Sequence, residues 1–126
     1  MTSTKLQDNE QLALQGLIET LQNRFSEQLR DVILYGSKAR GDSTPDSDID
    51  ILIILSDENE QLRRDILTIA SQFSLEYDVL ISPHVIGETR FSQKRGFTYY
   101  RNVARDAIQL NITRGKLTLS PGTPVS

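Results

Sequence analysis

Five consecutive branched aliphatic residues, Ile51-Leu52-Ile53-Ile54-Leu55, constrain the fold more than any other stretch of this chain. A strand that is apolar on both faces belongs at the centre of a sheet, where helices cover both sides. Two carboxylates, Asp48 and Asp50, precede this run on either side of Ile49. Residues two apart in a strand project to the same face, so the two carboxylates repel each other unless cations neutralise them. The stretch therefore predicts a central strand from Ile49 to Leu55 with a cation site at its start.

The surrounding patterns predict an α+β domain with a small mixed sheet of about three strands flanked by helices. Apolar residues at helical spacing indicate a helix from Asp8 to Leu29, and 31–35 is typical of a strand that stops at Gly36. After the central strand, a helix capped by Asp57 leads to a third strand over Tyr77–Ser82. A strand, a helix and a parallel strand form a crossover unit. The first strand then has to run antiparallel to bring its end to the same edge.

The C-terminal third predicts one long helix and a tail. The helix is expected from Gly87 to about Asn111, with Gly96 as a possible interruption. Residues 1–112 are then a single domain, and 113–126 form an exposed tail or partner-docking arm. If the helix is continuous, it carries a basic stripe that would be solvated, dock an acidic partner or steer ATP: Arg90, Lys94, Arg101 and Arg105.

Composition limits the chemistry that this chain can host. It has 0 cysteines, which excludes disulfides, thiolate metal sites and cysteine nucleophiles. A metal would be held by oxygen ligands or by the single histidine, His84, which we expect to be structural; oxygen ligands suit a hard cation such as Mg²⁺. The net charge of −3 makes a nucleic-acid partner unlikely. Neither a membrane-spanning run nor a signal-peptide core is found, so we expect a cytoplasmic protein without a membrane partner.

The segment Gly36-Ser37-Lys38-Ala39-Arg40-Gly41 has the composition of a triphosphate-binding turn. Gly36 lets the backbone approach an anion closely, and the hydroxyl of Ser37 and the neighbouring N–H groups can donate to its oxygens. Lys38 and Arg40 lie within reach of the same anion, although each can equally pair with a nearby carboxylate or a helix end. Gly36, Ser37, Lys38 and Arg40 are therefore the predicted nucleotide-binding residues.

Asp78 brings a third carboxylate to the start of the predicted third strand. Because the parallel strands of a crossover unit start at the same edge of the sheet, Asp78 can join Asp48 and Asp50 there. Three acidic side chains suit a pair of Mg²⁺ ions about 3.5–4 Å apart, which clamp the attacking and leaving oxygens of a phosphoryl displacement. We therefore predict that Asp48, Asp50 and Asp78 form a catalytic metal site.

A known family signature resembles two segments of this chain, the turn from Gly36 to Gly41 and, five residues later, Ser47–Ile53. It is the signature of the DNA polymerase β nucleotidyltransferase superfamily, in its minimal nucleotidyltransferase branch. The resemblance implies transfer of a nucleoside monophosphate, most simply AMP from ATP, to an acceptor hydroxyl with release of pyrophosphate. The roles that it implies are metal ligands for Asp48 and Asp50, triphosphate binding for Gly36 and Ser37, and a third metal ligand or the proton-accepting base for Asp78.

The resemblance also implies that the acceptor lies on another protein. Stand-alone minimal nucleotidyltransferases resemble the antitoxin half of toxin–antitoxin pairs, in which the antitoxin adenylylates a tyrosine of a HEPN-type ribonuclease toxin and disables it. Such a partner would explain how so short a chain manages without a substrate domain. Three alternatives stay open: neutralisation by binding alone, transfer to a small-molecule or RNA hydroxyl, and a sugar-nucleotide glycosyltransferase, which would need a larger sheet before Asp48.

Overall fold

A mixed sheet of five strands, in the order β3-β2-β1-β4-β5, forms the centre of the protein. The computed structural model describes residues 6–44, 46–94 and 96–121. Its elements are α1 (Asp8–Arg24), β1 (Leu29–Tyr35), α2 (Ser37–Arg40), β2 (Ile49–Leu55), α3 (Glu60–Tyr77), β3 (Ile81–Gly87), α4 (Glu88–Gln93), α5 (Thr98–Asp106), β4 (Ile108–Thr113) and β5 (Lys116–Pro121). The α+β class is confirmed, whereas the estimate of about three strands is wrong.

The strand β2 has the predicted bounds and lies inside the sheet, between β1 and β3. It pairs antiparallel with β1 and parallel with β3, as the crossover argument predicted. Asp50 lies opposite Tyr35 of β1 and Ser82 of β3. The end of β1 and the starts of β2 and β3 therefore meet at one edge of the sheet, which we call the site edge.

Alternate residues of β2 enter two separate cores. Ile49, Ile51, Ile53 and Leu55 belong to a cluster with buried residues of α1 and α3, while Leu52 and Ile54 belong to a cluster with Phe91 of α4 and Val103 of α5. Each fully buried aliphatic side chain contributes roughly 1.5–3 kcal/mol relative to exposure. Helices on both faces are what a strand without a polar face requires.

The two predicted helices that correspond to α1 and α3 differ from prediction at one end each. The helix α1 ends at Arg24, so that Leu29 begins β1. The cap of α3 is Asn59 and not Asp57, because the side-chain oxygen of Asn59 accepts a hydrogen bond of 3.1 Å from the backbone N–H of Leu62. An Asn at this position satisfies a donor that the first helical turn leaves unpaired.

The predicted third strand is displaced along the chain. Residue Tyr77 still belongs to α3, Asp78 caps that helix with φ of 54°, and β3 begins only at Ile81. Pro83, one residue beyond the end of the predicted strand, lies inside β3. Because β3 is at the edge of the sheet, a residue without an N–H group is tolerated there.

The C-terminal third is not one helix with a tail. Two short helices, α4 and α5, lie on either side of Gly96, and the chain then returns to the sheet as β4, which pairs with β1. Residues 116–121 of the predicted tail form β5 and pair with β4, while 122–126 lie outside the described residues. The four basic residues therefore do not share one continuous helix. No helix in the described ranges is long and apolar enough to cross a membrane.

Candidate functional site

A glycine-bounded turn connects β1 to the site edge. Gly36 follows the last residue of β1 with φ of 77°, and Gly41 ends α2 in the left-handed conformation with φ of 84°. The N–H of Arg40 donates to the carbonyl of Gly36 over 3.0 Å, and the N–H of Gly41 donates to the carbonyl of Ser37 over 2.9 Å. The first N–H groups of a helical turn have no acceptor within the helix. The turn can therefore present backbone donors and the Ser37 hydroxyl to an anion.

Gly36 lies directly against one of the predicted metal ligands. A Cβ atom built on Gly36 would come within 2.6 Å of Oδ2 of Asp50. Real Cβ atoms do not approach an oxygen so closely, and the positive φ also disfavours any residue with a side chain. The glycine is thus what allows the triphosphate-type turn and the Asp50 carboxylate to occupy adjoining positions.

The two carboxylates at the start of β2 differ in environment. Asp48 is exposed, whereas Asp50 is half-buried. Burial raises the pKa of the Asp50 carboxyl, the negative charge of Asp48 raises it further, and Arg40 partly opposes both effects. Asp50 is therefore a carboxylate whose ionised form an added cation would stabilise.

Arg40 is held beside the site by two other carboxylates. Its Nε lies 3.1 Å from Oδ2 of Asp42, and one of its terminal nitrogens lies 2.9 Å from Oδ2 of Asp106. The hydrogen bonds that the Arg40 guanidinium donates to Asp42 and then to Asp106 raise its pKa above the usual value. Arg40 is exposed and close enough to Asp50 to affect its pKa, so it remains a candidate for contact with the triphosphate.

Lys38 is buried and paired with a carboxylate, instead of exposed beside the turn. Its side chain is 1% exposed, and its Nζ is 2.9 Å from Oε2 of Glu10. With the ammonium group buried in an ion pair, Lys38 supports the turn from within, and we remove it from the predicted nucleotide ligands. Sequence reasoning missed Glu10, although its place three residues after Gln7 fits a capping box, which the structure contains.

Contrary to our prediction, Asp78 does not lie on a strand beside Asp48 and Asp50. It is exposed at the C-terminal cap of α3, and the β3 residue beside Asp50 is Ser82. Within ranges 6–44, 46–94 and 96–121, no group of three or more His, Asp or Glu side chains is placed to hold a metal. The structure therefore brings together Gly36, Asp50 and the turn, but it does not form a three-carboxylate cluster with Asp78.

His84 lies on β3 opposite Leu52, outside the site edge. Its ring meets the ring of Tyr100 edge to face, with centroids 6.4 Å apart. Burial lowers the pKa of the imidazole, and the positive charges of Arg63 and Arg90 lower it further. A neutral ring packed on an aromatic neighbour fits the structural role expected for it.

This chain is similar to known nucleotidyltransferases in sequence and in fold. The sequence profile of the nucleotidyltransferase domain matches residues 14–110. Two Methanocaldococcus jannaschii proteins are similar: "Putative protein adenylyltransferase MJ0604" is 32% identical over 98 residues, 78% of this chain and 94% of that one. "Putative protein adenylyltransferase MJ0141" is 44% identical over 66 residues, 52% of this chain and 67% of that one. A crystal structure of "a putative nucleotidyltransferase from Sulfolobus solfataricus" shares the fold, with a TM-score of 0.52, 24% identity, and coverage of 78% of this chain and 76% of the other.

Proposed function

Because this chain belongs to the nucleotidyltransferase family, we propose that it transfers AMP from ATP to a tyrosine hydroxyl of a partner protein, a HEPN-type ribonuclease toxin, and so neutralises it. The observation that carries this proposal is the contact between the glycine turn and Asp50, since it joins a phosphate-type turn to a carboxylate suited to a metal. The names of the two archaeal relatives support protein as the acceptor.

The reaction assigns a task to each part of the site edge. The oxygen of the acceptor hydroxyl attacks the α-phosphorus of ATP, the bond from that phosphorus to the bridging oxygen of the β-phosphate breaks, and pyrophosphate leaves. The hydroxyl proton passes to a general base. Asp78, the base that the resemblance implies, lies at the C-terminal cap of α3 and outside the pair Asp48 and Asp50, so this role is tested separately below. The Gly36 backbone and the Ser37 hydroxyl hold the triphosphate so that the leaving group lies in line with the attacking oxygen. Arg40 would balance part of the negative charge of the triphosphate.

The donor set at the site edge fits Mg²⁺. Mg²⁺ in nucleotide enzymes is held by one or two carboxylates together with substrate phosphates and water, so that a third protein carboxylate is not required. Asp48 and Asp50 would hold it. Burial and the charge of Asp48 raise the pKa of the Asp50 carboxyl, so a bound cation would stabilise its ionised form. When bound, such an ion stabilises the charge that develops on the oxygens of the reacting phosphates.

Incubation of the protein with labelled ATP, Mg²⁺ and a candidate HEPN-type partner protein tests the proposal. We expect label on a tyrosine of the partner, and we expect Asp48→Asn together with Asp50→Asn to reduce transfer by more than about a hundredfold with the fold intact, since both metal ligands are lost. Asp57→Asn, at the other end of β2, should leave transfer unchanged. Asp78→Asn tests the third carboxylate without changing the left-handed cap, because Asn tolerates that conformation.

A second candidate is neutralisation by binding alone, and exposed leucines favour it. Leu75 and Leu80 are 81% and 61% exposed on either side of Asp78, where a protein partner would bury them. Tight complex formation without label on the partner would support this candidate and refute transfer. Label on a small molecule or RNA offered without a partner would contradict both.

A further inference from the structure

A buried ion pair lies behind the glycine turn. Nζ of Lys38 is 2.9 Å from Oε2 and 3.1 Å from Oε1 of Glu10, so the ammonium group contacts both carboxylate oxygens. Only 1% of the Lys38 side chain and 6% of the Glu10 side chain are exposed. A buried ion pair adds little stability over an apolar pair of the same volume, whereas loss of one partner leaves a buried charge without compensation. The pair is therefore better explained by the relative position of the two helices that it fixes than by a gain in stability.

The pair connects three segments of the chain. Glu10 lies in the first turn of α1, where its Oε1 also accepts a hydrogen bond of 2.8 Å from the backbone N–H of Gln7. Lys38 lies in α2, inside the glycine turn. Its Nζ is also 3.5 Å from the carbonyl oxygen of Thr44, on the loop that leads to Asp48. One ammonium group therefore contacts α1, belongs to the turn, and reaches the loop before the carboxylates.

The helix α1, which carries Glu10, is packed firmly against the sheet. Its buried side chains Leu14, Leu17 and Leu21 lie in the same core cluster as Ile51 and Ile53 of β2. The capping contact with Gln7 restricts the Glu10 carboxylate further. A carboxylate fixed on a helix that packs against the sheet can set the position of the turn relative to β2.

We propose that Glu10 is a positioning residue for the nucleotide. Through Lys38 it holds Ser37 and the loop before Asp48 at the spacing that a triphosphate and its cation require. Glu10 touches neither, and it acts only through the ammonium group. The inference rests on the proposed function, since it assigns a supporting residue to the same site.

The test uses three variants of the full chain. Glu10→Gln and Lys38→Met each leave one charge buried alone, and we expect the Tm to fall by about 5–15 °C. The combined variant removes both charges of this pair, Gln at position 10 keeps the capping contact, and Met keeps the volume of the lysine stem. Its Tm should return to near the wild-type value, which separates stability from positioning.

In the combined variant the turn and the loop have lost the ammonium group that joined them to α1. We expect amide hydrogen exchange of peptides within 36–47 to become at least about threefold faster, while exchange in 49–55 stays unchanged. We also expect kcat/KM for ATP to remain about 10- to 100-fold below wild type, mainly through KM. Glu19→Gln, the same change elsewhere on α1, should alter neither quantity.

The two readouts separate this inference from the proposed function. Hydrogen exchange is measured without nucleotide, so wild-type exchange across 36–47 in the combined variant overturns the inference whatever the enzyme transfers. Faster exchange with a wild-type KM for ATP overturns it as well, because the pair would then be structural only. If the wild-type protein transfers nothing, the proposed function fails, and calorimetric affinity for ATP replaces KM as the second readout.

Discussion

Gly36 is the residue on which the site edge depends most directly. Its φ of 77° and its contact with Asp50 both require the absence of a side chain. We expect Gly36→Ala to destabilise the protein by about 1–3 kcal/mol or more, because a φ of 77° with a ψ of −157° is a backbone region almost restricted to glycine. We also expect it to reduce transfer strongly because Asp50 must move. Chemical denaturation and the labelling assay measure the two effects.

Gly115 provides a matched control for that substitution. Its φ is 76°, almost the same as that of Gly36, but a Cβ there would meet nothing within 4 Å. Gly115→Ala should therefore show the cost of a positive φ without loss of transfer. Equal activity losses in the two variants would contradict the importance that we give to the contact with Asp50.

Asp50 also predicts how stability depends on pH. Its folded-state pKa is raised above 3.8, so the folded protein binds more protons than the unfolded chain between that value and the raised pKa, and stability falls as pH rises through this window. Asp50→Asn removes the ionisable group. With chelator present at pH 7, we expect the Tm of the variant to equal or exceed that of wild type. The gain in free energy of unfolding should be less than about 1 kcal/mol, because the site is half-exposed.

Below the window the advantage of Asp50→Asn should disappear, because the wild-type carboxyl is then protonated and neutral as well. Thermal unfolding of both proteins from pH 3 to pH 8 in chelator measures the difference. The opposite result would be a variant whose stability falls further below that of wild type as the pH rises to neutrality. It would contradict the prediction, because the ionised carboxylate would then stabilise the fold.

At the scale of elements, the β4–β5 hairpin is the part of the sheet that the sequence analysis did not predict. Its loop consists of Arg114 and Gly115, with φ of 54° and 76°, between the paired residues Thr113 and Lys116. Two residues with positive φ are typical of a type I′ hairpin turn, which favours Asn followed by Gly. Arg114→Asn should therefore stabilise the protein by about 0.5–1 kcal/mol, measured by denaturant unfolding, and a decrease in stability would argue against this turn geometry.

For the whole molecule, the hairpin matters because it completes the sheet. Leu117 and Leu119 of β5 are partly buried against the core that contains α1 and β2, and the side-chain amide of Gln15 in α1 donates to the carbonyl of Gly115 over 2.8 Å. A chain that ends at Thr113 should lose at least about 10 °C in Tm or become insoluble, because apolar surface and the edge of β4 are then exposed.

The local sequence determined those features whose cause is local. The apolar run fixed β2 and its place inside the sheet, and glycine spacing fixed the turn from Gly36 to Gly41. The crossover rule gave the directions of the first three strands before any contact was known. The pair Asp48 and Asp50 at the strand's start is likewise explicit in the sequence, although its role as a metal site stays a prediction.

Only the tertiary structure decided the features that depend on partners distant in sequence. Propensity could not separate a helix from β4 in 108–111, because pairing with β1 decides that stretch. Asp78 could not be placed without knowing where α3 ends, and Lys38 could not be excluded from nucleotide binding without Glu10, 28 residues away. Side-chain chemistry named the candidates for this site, but burial and the choice of ion-pair partner, which are properties of the folded chain, decided which of them face it.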